Sequence, residues 1–196
     1  IMENDGKIAS GEESLKIITE MINKTQTSVA QSSFHLLFWG WLVFVCSLAQ
    51  FILNNYTDFH QGWYVWFLTI PGMFVSFTYG YVKGKKALIH TYAERLSMWT
   101  WYGFTFSMII LFIIHGKSME DVSKYILMLI GLPVFLSGFI LRFKPLTYGG
   151  FAFWAGALAC HFGGPVVSGL SMPVAIVLGY LLPGYLLKRR NSHDAV

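Results

Sequence analysis

Three histidines, His60, His115 and His161, fall at the ends of apolar segments or in the loop between two of them, with Asp58, Glu120, Asp121 and Cys160 nearby. Neutral imidazoles and carboxylates form a ligand set for a divalent metal such as zinc, so these histidines are the candidate ligands of a metal or proton-responsive site. That chemistry requires the side chains to meet in space, because no His-x-x-x-His or Cys-x-x-Cys pair already places two ligands on one turn. A second set lies toward the opposite ends of the segments. His90 and Glu94 are four residues apart in a stretch that reads as helical up to Arg95, so they can share a face, and His35 lies near the same level. This set suits a cytoplasmic ligand or regulatory contact, although an amphipathic stretch with Lys83, Lys85 and Lys86 against anionic lipid accounts for the same residues. Trp39 and Trp41 offer aromatic faces that attract ammonium groups. Two apart on a helix, only one of them can face a cavity, and interfacial anchoring is the alternative role.

The remaining residues narrow the chemistry. There is no phosphate-cradling glycine loop, nucleophile elbow or His-Glu-x-x-His, so catalysis is not the expected function. No Asp, Glu, Lys or Arg falls in the middle of an apolar segment, where an ionised group costs roughly 2.5–3.5 kcal/mol on insertion scales. That argues against a membrane-carboxylate antiporter, a voltage sensor or an intramembrane protease built on an acidic pair. Cys46 and Cys160 are too few and too poorly spaced for a disulfide framework.

The elements that must position these residues are made for lipid. The chain is 55% hydrophobic and 12% charged, against about 25% charged in soluble proteins. Crossing the hydrocarbon core takes about 20 apolar residues, and six stretches approach that length: residues 34–53, 63–82, 98–115, 125–141, 146–162 and 166–187. Backbone amides in lipid must be satisfied within a segment, and continuous runs are unlike the alternation of barrel strands, so the expected fold class is an all-α polytopic transmembrane bundle of six helices. The fifth stretch is the shortest and ends in His161 and Gly163-Gly164-Pro165, which leaves a re-entrant course open. The first run is too long for a signal-peptide core and lacks a small-residue cleavage site, so it is expected to be retained.

Direction follows from charge. Of 14 Lys and Arg residues, all but Lys117 and Lys124 fall on one side under this reading, so both termini are expected in the cytoplasm. The net charge of +4 is thereby a topology signal, and no nucleic-acid partner is expected. Three regions result: a cytoplasmic tail over residues 1–33, a transmembrane domain over 34–187, and a basic tail over 188–196. In the first tail Ser10 and Glu13 have capping-box spacing ahead of Leu15, Ile18 and Ile22, which predicts a short amphipathic helix on the membrane surface or against a cytoplasmic protein partner.

Helices in lipid approach closely through small residues. Gly72, Ser76, Gly80 and Gly84 recur at every fourth position, and Gly149, Gly156 and Gly163 form a second seam with Ala152 and Ala159. Either stripe could pack the monomer or join a homodimer. Pro71, Pro133 and Pro173 predict kinks, which occur at transporter binding sites and in ordinary bundles alike. Gly40-Trp-Leu-Val-Phe and Gly131-Leu-Pro-Val-Phe share an offset that would divide the chain into two inverted three-helix halves.

The segment Phe34-His-Leu-Leu-Phe-Trp-Gly-Trp-Leu-Val-Phe and the ending Gly179-Tyr-Leu-Leu-Pro-Gly-Tyr-Leu-Leu-Lys resemble those of small, uncharacterised six-helix bacterial inner-membrane proteins. The resemblance implies a bacterial inner membrane and a six-helix architecture, with no catalytic or binding motif to carry over. The expected function is therefore a small-solute transporter or channel. The alternative is a membrane-embedded sensor or scaffold acting through the N-terminal helix and the basic loops.

Overall fold

The computed structural model describes residues 33–57, 62–84, 92–115 and 122–193. The tail expected to form an amphipathic helix, His60, His90 and the end of the basic tail lie outside the described residues, as does the side chain of Glu94. Among the described residues the chain is helical throughout its secondary structure. The helices are α1 (Ser33–Tyr56), α2 (Thr69–Gly84) entered through a 3₁₀ stretch (Gly62–Leu68), α3 (Tyr92–His115), α4 (Val122–Ile140) and α5 (Lys144–Phe162). The last, α6, joins an α segment (Pro165–Ile176), a π turn (Val177–Leu181) and a second α segment (Leu182–His193).

Five of these six helices are long and apolar enough to cross a membrane. The exception is α5, which has 19 residues but a sequence diluted by Gly, Thr, Tyr, Trp and His. Its position explains the difference. α5 packs between α4 and α6, so much of its surface meets neighbouring helices. Leu146, Gly149, Gly150, Phe153 and Cys160 are buried there. The periphery is the reverse: Phe74, Phe77, Trp99, Phe106 and Ile113 project away from the chain. A surface so rich in large apolar side chains is suited to lipid and unlike that of a soluble monomer.

Neighbouring helices run antiparallel, which fixes their levels. Leu37 lies against Gly184, Gly40 against Leu181 and Phe51 against Gly169, so the start of α1 and the end of α6 share one end of the bundle. On the other flank of α1, Leu42 meets Gly72 and Trp39 donates to Ser76 Oγ at 3.2 Å. Trp66 Nε1 donates to Gln50 Oε1 at 2.7 Å, satisfying two polar groups that lipid would leave bare. α4 and α5 close through Gly131 on Trp154, Gly150 on Phe135 and Gly138 on Thr147. α3 packs on α4. The core runs through Leu127, Val134, Leu146, Phe153 and Ile176.

Departures from straight α-helix trace to particular residues. Pro71 has no N–H for the carbonyl of Phe67, and the chain before it takes the tighter 3₁₀ winding. Thr69 Oγ1 donates to the Trp66 carbonyl at 2.6 Å. Pro183, four residues beyond Gly179, likewise leaves that carbonyl without its helical donor. The widening to π geometry makes room for the ring, and Leu182 N–H reaches the carbonyl of Val177. The α4–α5 turn is of Schellman type, with Phe143 N–H on the Gly138 carbonyl at 2.9 Å and Arg142 N–H on the Phe139 carbonyl at 3.1 Å. Arg142 holds the left-handed position, φ 50°, that glycine usually fills.

Candidate functional site

The small residues decide where helices touch and where they leave space. A Cβ on Gly72 would meet a Leu42 methyl; one on Gly149 would lie 2.6 Å from the Gly179 carbonyl oxygen, and one on Gly156 2.9 Å from Ala175 Cβ. The other members of the two stripes behave differently. Gly80 meets nothing within 4 Å, and Gly163 ends α5, its N–H on the Ala159 carbonyl at 2.9 Å. Ser76 is the acceptor for Trp39.

Space opens on the flanks of α1. A groove of about 770 Å³ runs between α1 and α2 and reaches the end of α6. From α1 it takes Ser33, Phe34, Leu37, Phe38, Trp41, Leu42 and Val45, with Leu68 and Tyr79 opposite and Lys188 at its end. A second groove, about 460 Å³, lies between α1 and α6 against Phe44, Val177, Leu181, Leu182, Tyr185 and Leu186. Trp41 lines both. Its indole N–H donates to the Tyr185 hydroxyl at 3.1 Å, which ties this partition to α6.

The larger groove changes character along its length. Tyr79 stacks on Phe34 with ring centroids 4.1 Å apart, so Ser33, Tyr79 and Lys188 gather at one end. Val45 and Leu68 close the other. One end is polar and cationic, the remainder apolar.

The predicted residues are distributed unevenly around this site. Trp41 lines it; Trp39, two residues away, turns to α2, as the i, i+2 geometry requires. His35 rests edge-on against Phe34 and Tyr79, with centroids 5.7 Å from each. His115 packs on the Tyr125 ring at 5.0 Å with its Nδ1 buried and without a hydrogen-bond partner, while His161 lies against Phe162. Among the described residues no three His, Cys, Asp or Glu side chains gather to hold a metal. Cys46 Sγ donates to the Val65 carbonyl at 3.5 Å, and Cys160 pairs with Ser168 Oγ at 3.2 Å.

Several hydroxyls within the helices are turned back onto their own backbones: Thr78 to the Phe74 carbonyl at 2.7 Å, Thr105 to Trp101 at 2.9 Å, Ser171 to Val167 at 2.6 Å. As donors these three are committed locally. Ser137 Oγ in α4 is instead buried without a hydrogen-bond partner.

Tyr185, Lys188 and Leu68 are groove residues that sequence reasoning missed. Lys188 was legible only as a topology charge. Its place beside Phe34 depends on the antiparallel register of α1 and α6.

Together these features define an all-helical protein of membrane-spanning dimensions with an open amphipathic groove on its side. No protein-family model, curated protein or solved structure matches the chain.

Proposed function

We propose that this chain is a six-pass protein of a bacterial inner membrane, both termini cytoplasmic, that transports a small amphiphile taken sideways from the bilayer through the groove beside α1. The observation that carries the reading is the polarity gradient of that groove, from Lys188, Ser33 and Tyr79 to Val45 and Leu68. A solute recognised there needs a polar head and an apolar body. The local bonding of the intramembrane hydroxyls favours such a solute over a fully polar one. Orientation is supported by charge: the register of α5 on α6 places Lys144 and Arg142 near the level of Lys188, Arg189 and Arg190, a basic end of the sort retained in the cytoplasm. In that frame α5 is the central crossing, its lower hydropathy offset by burial against α4 and α6.

The test is transfer in proteoliposomes. A fluorescently tagged acyl amphiphile should cross faster with the protein than without, glycerol should not, and Val45→Trp, which fills the apolar end, should slow the amphiphile several-fold. No protein-dependent transfer, or transfer indifferent to Val45→Trp, refutes the proposal.

A second reading, a membrane scaffold, draws on α3. Trp99, Tyr102, Phe106 and Ile113 of α3 are exposed, and both Gly103 and Gly80 have open space before them. Close packing on a second copy would use such a face. Disulfide trapping of Gly103→Cys between copies in native membranes supports this reading; only monomer opposes it.

A further inference from the structure

Resting on the groove reading above, we propose that the occupant is an anionic glycerophospholipid of one leaflet, with an acyl chain on each side of Trp41 and its phosphate on Lys188.

Three observations carry the assignment. Depth comes first. From Phe34 to Val45 is eleven residues, or about 16 Å of helix at ~1.5 Å per residue, close to half of the ~30 Å hydrocarbon core. The groove therefore spans one leaflet, the length of one lipid tail.

Second is the paired form. Trp41 lines both adjoining grooves, and its indole N–H is bonded to the Tyr185 hydroxyl of α6. A two-chained lipid straddles such a partition; a single-chained one leaves half of it empty. Trp41 lies eight residues into α1, about 12 Å along the helix, deeper than the headgroup level where tryptophans usually anchor.

Third is charge. Lys188 is exposed at the polar end of the larger groove, followed by the exposed Arg189 and Arg190. No acidic side chain lines either groove among the described residues. A lysine ammonium at headgroup depth complements a phosphate, and a lipid of net negative charge keeps that attraction where a zwitterionic headgroup partly cancels it.

The experiment is native mass spectrometry of the full-length protein released from detergent after titration with phosphatidylglycerol or phosphatidylcholine of equal chain length. One phosphatidylglycerol should be retained, at least five-fold more than phosphatidylcholine. Lys188→Gln should remove that preference. Lys144→Gln, an exposed lysine outside both grooves, should preserve it. Val45→Trp should lower retention of both lipids while leaving the melting temperature near that of the wild type. Equal retention of the two lipids by the wild type, or equal losses in Lys188→Gln and Lys144→Gln, overturns the anionic-lipid assignment. If both lipids are then still displaced by Val45→Trp, the amphiphile groove itself survives. If neither lipid is retained and Val45→Trp changes nothing, the groove reading falls as well.

Discussion

Gly149→Ala adds one methyl group where α5 crosses α6, and the structure gives that methyl nowhere to go. Its Cβ would stand 2.6 Å from the Gly179 carbonyl oxygen, 3.0 Å from its Cα and 3.2 Å from its carbonyl carbon. All three are backbone atoms of the opposing helix, so no side chain can rotate away. Ordinary contact begins near 3.4 Å, so the helices must part by about 0.8 Å. A gap of that size forfeits roughly a quarter to a half of the dispersion attraction for each atom pair it separates. Overpacking of this kind costs about 1–3 kcal/mol, and the better helix propensity of alanine returns at most ~1 kcal/mol. The net expectation is a loss of up to about 2 kcal/mol, and a difference of about 1–3 kcal/mol from a glycine-to-alanine change that meets no obstacle. Gly80→Ala is the matched control, since its methyl meets nothing within 4 Å and only the propensity gain remains. Unfolding of both variants by titrating dodecyl sulfate into mixed micelles, followed by circular dichroism, gives the comparison. Gly156→Ala should fall between them, because Ala175 Cβ at 2.9 Å is its main obstacle. Equal stability of Gly149→Ala and Gly80→Ala would refute the argument that backbone contact sets the α5–α6 distance.

Further expectations follow from single contacts. Arg142→Gly should raise the unfolding free energy by about 1 kcal/mol, because φ 50° burdens a side chain and not glycine; a lower melting temperature would contradict this. Trp66→Phe should lose about 0.6 kcal/mol, and no more than ~1.7, for its bond to Gln50. A cycle with Gln50→Leu that shows no coupling would count against that bond. In a background lacking Cys46 and Cys160, cysteines placed at Lys144 and Arg190 should both react with an impermeant maleimide only after the cytoplasmic side is opened. Reaction from outside at either position would reverse the orientation.

The helices were readable because five of the six are written as one continuous apolar run of sufficient length, and their packing adjusts the ends by only a few residues. The first run, read over 34–53, is α1 (Ser33–Tyr56), and the last, read over 166–187, lies within the continuous helix that begins at Pro165. Contacts between helices were less readable. Spacing placed Gly72, Gly80, Gly149, Gly156 and Gly163 on stripes, yet only a partner's backbone decides which member is used. Gly131, Gly138 and Gly179 belong to no evident stripe but stand among the tightest approaches. The groove was hidden for the same reason. Trp41 gave a signal by its type, whereas Lys188 and Tyr185 reach it from 144 or more residues further along the chain.

The π turn links the packed interior to that groove. Its inward residues, Gly179 and Tyr180, are buried against α5, where Tyr180 meets Phe153 at 5.3 Å. Exposed Val177 and Leu181, itself buried against Gly40, form a wall of the smaller groove. One local cause serves both faces. Pro183 removes the donor for the Gly179 carbonyl, and the widened turn carries the backbone toward Gly149. Pro183→Ala would restore the missing N–H and favour regular α geometry, turning each residue before it by a fraction of the helical repeat. The inner contacts would then slip relative to α5, and the outer wall would rotate away from Trp41. Loss of the Trp41–Tyr185 bond and a loosened α5–α6 contact should therefore appear together. Hydrogen exchange faster at both α1 and α5 in Pro183→Ala supports this coupling; a change confined to α6 shows that the turn serves one face alone.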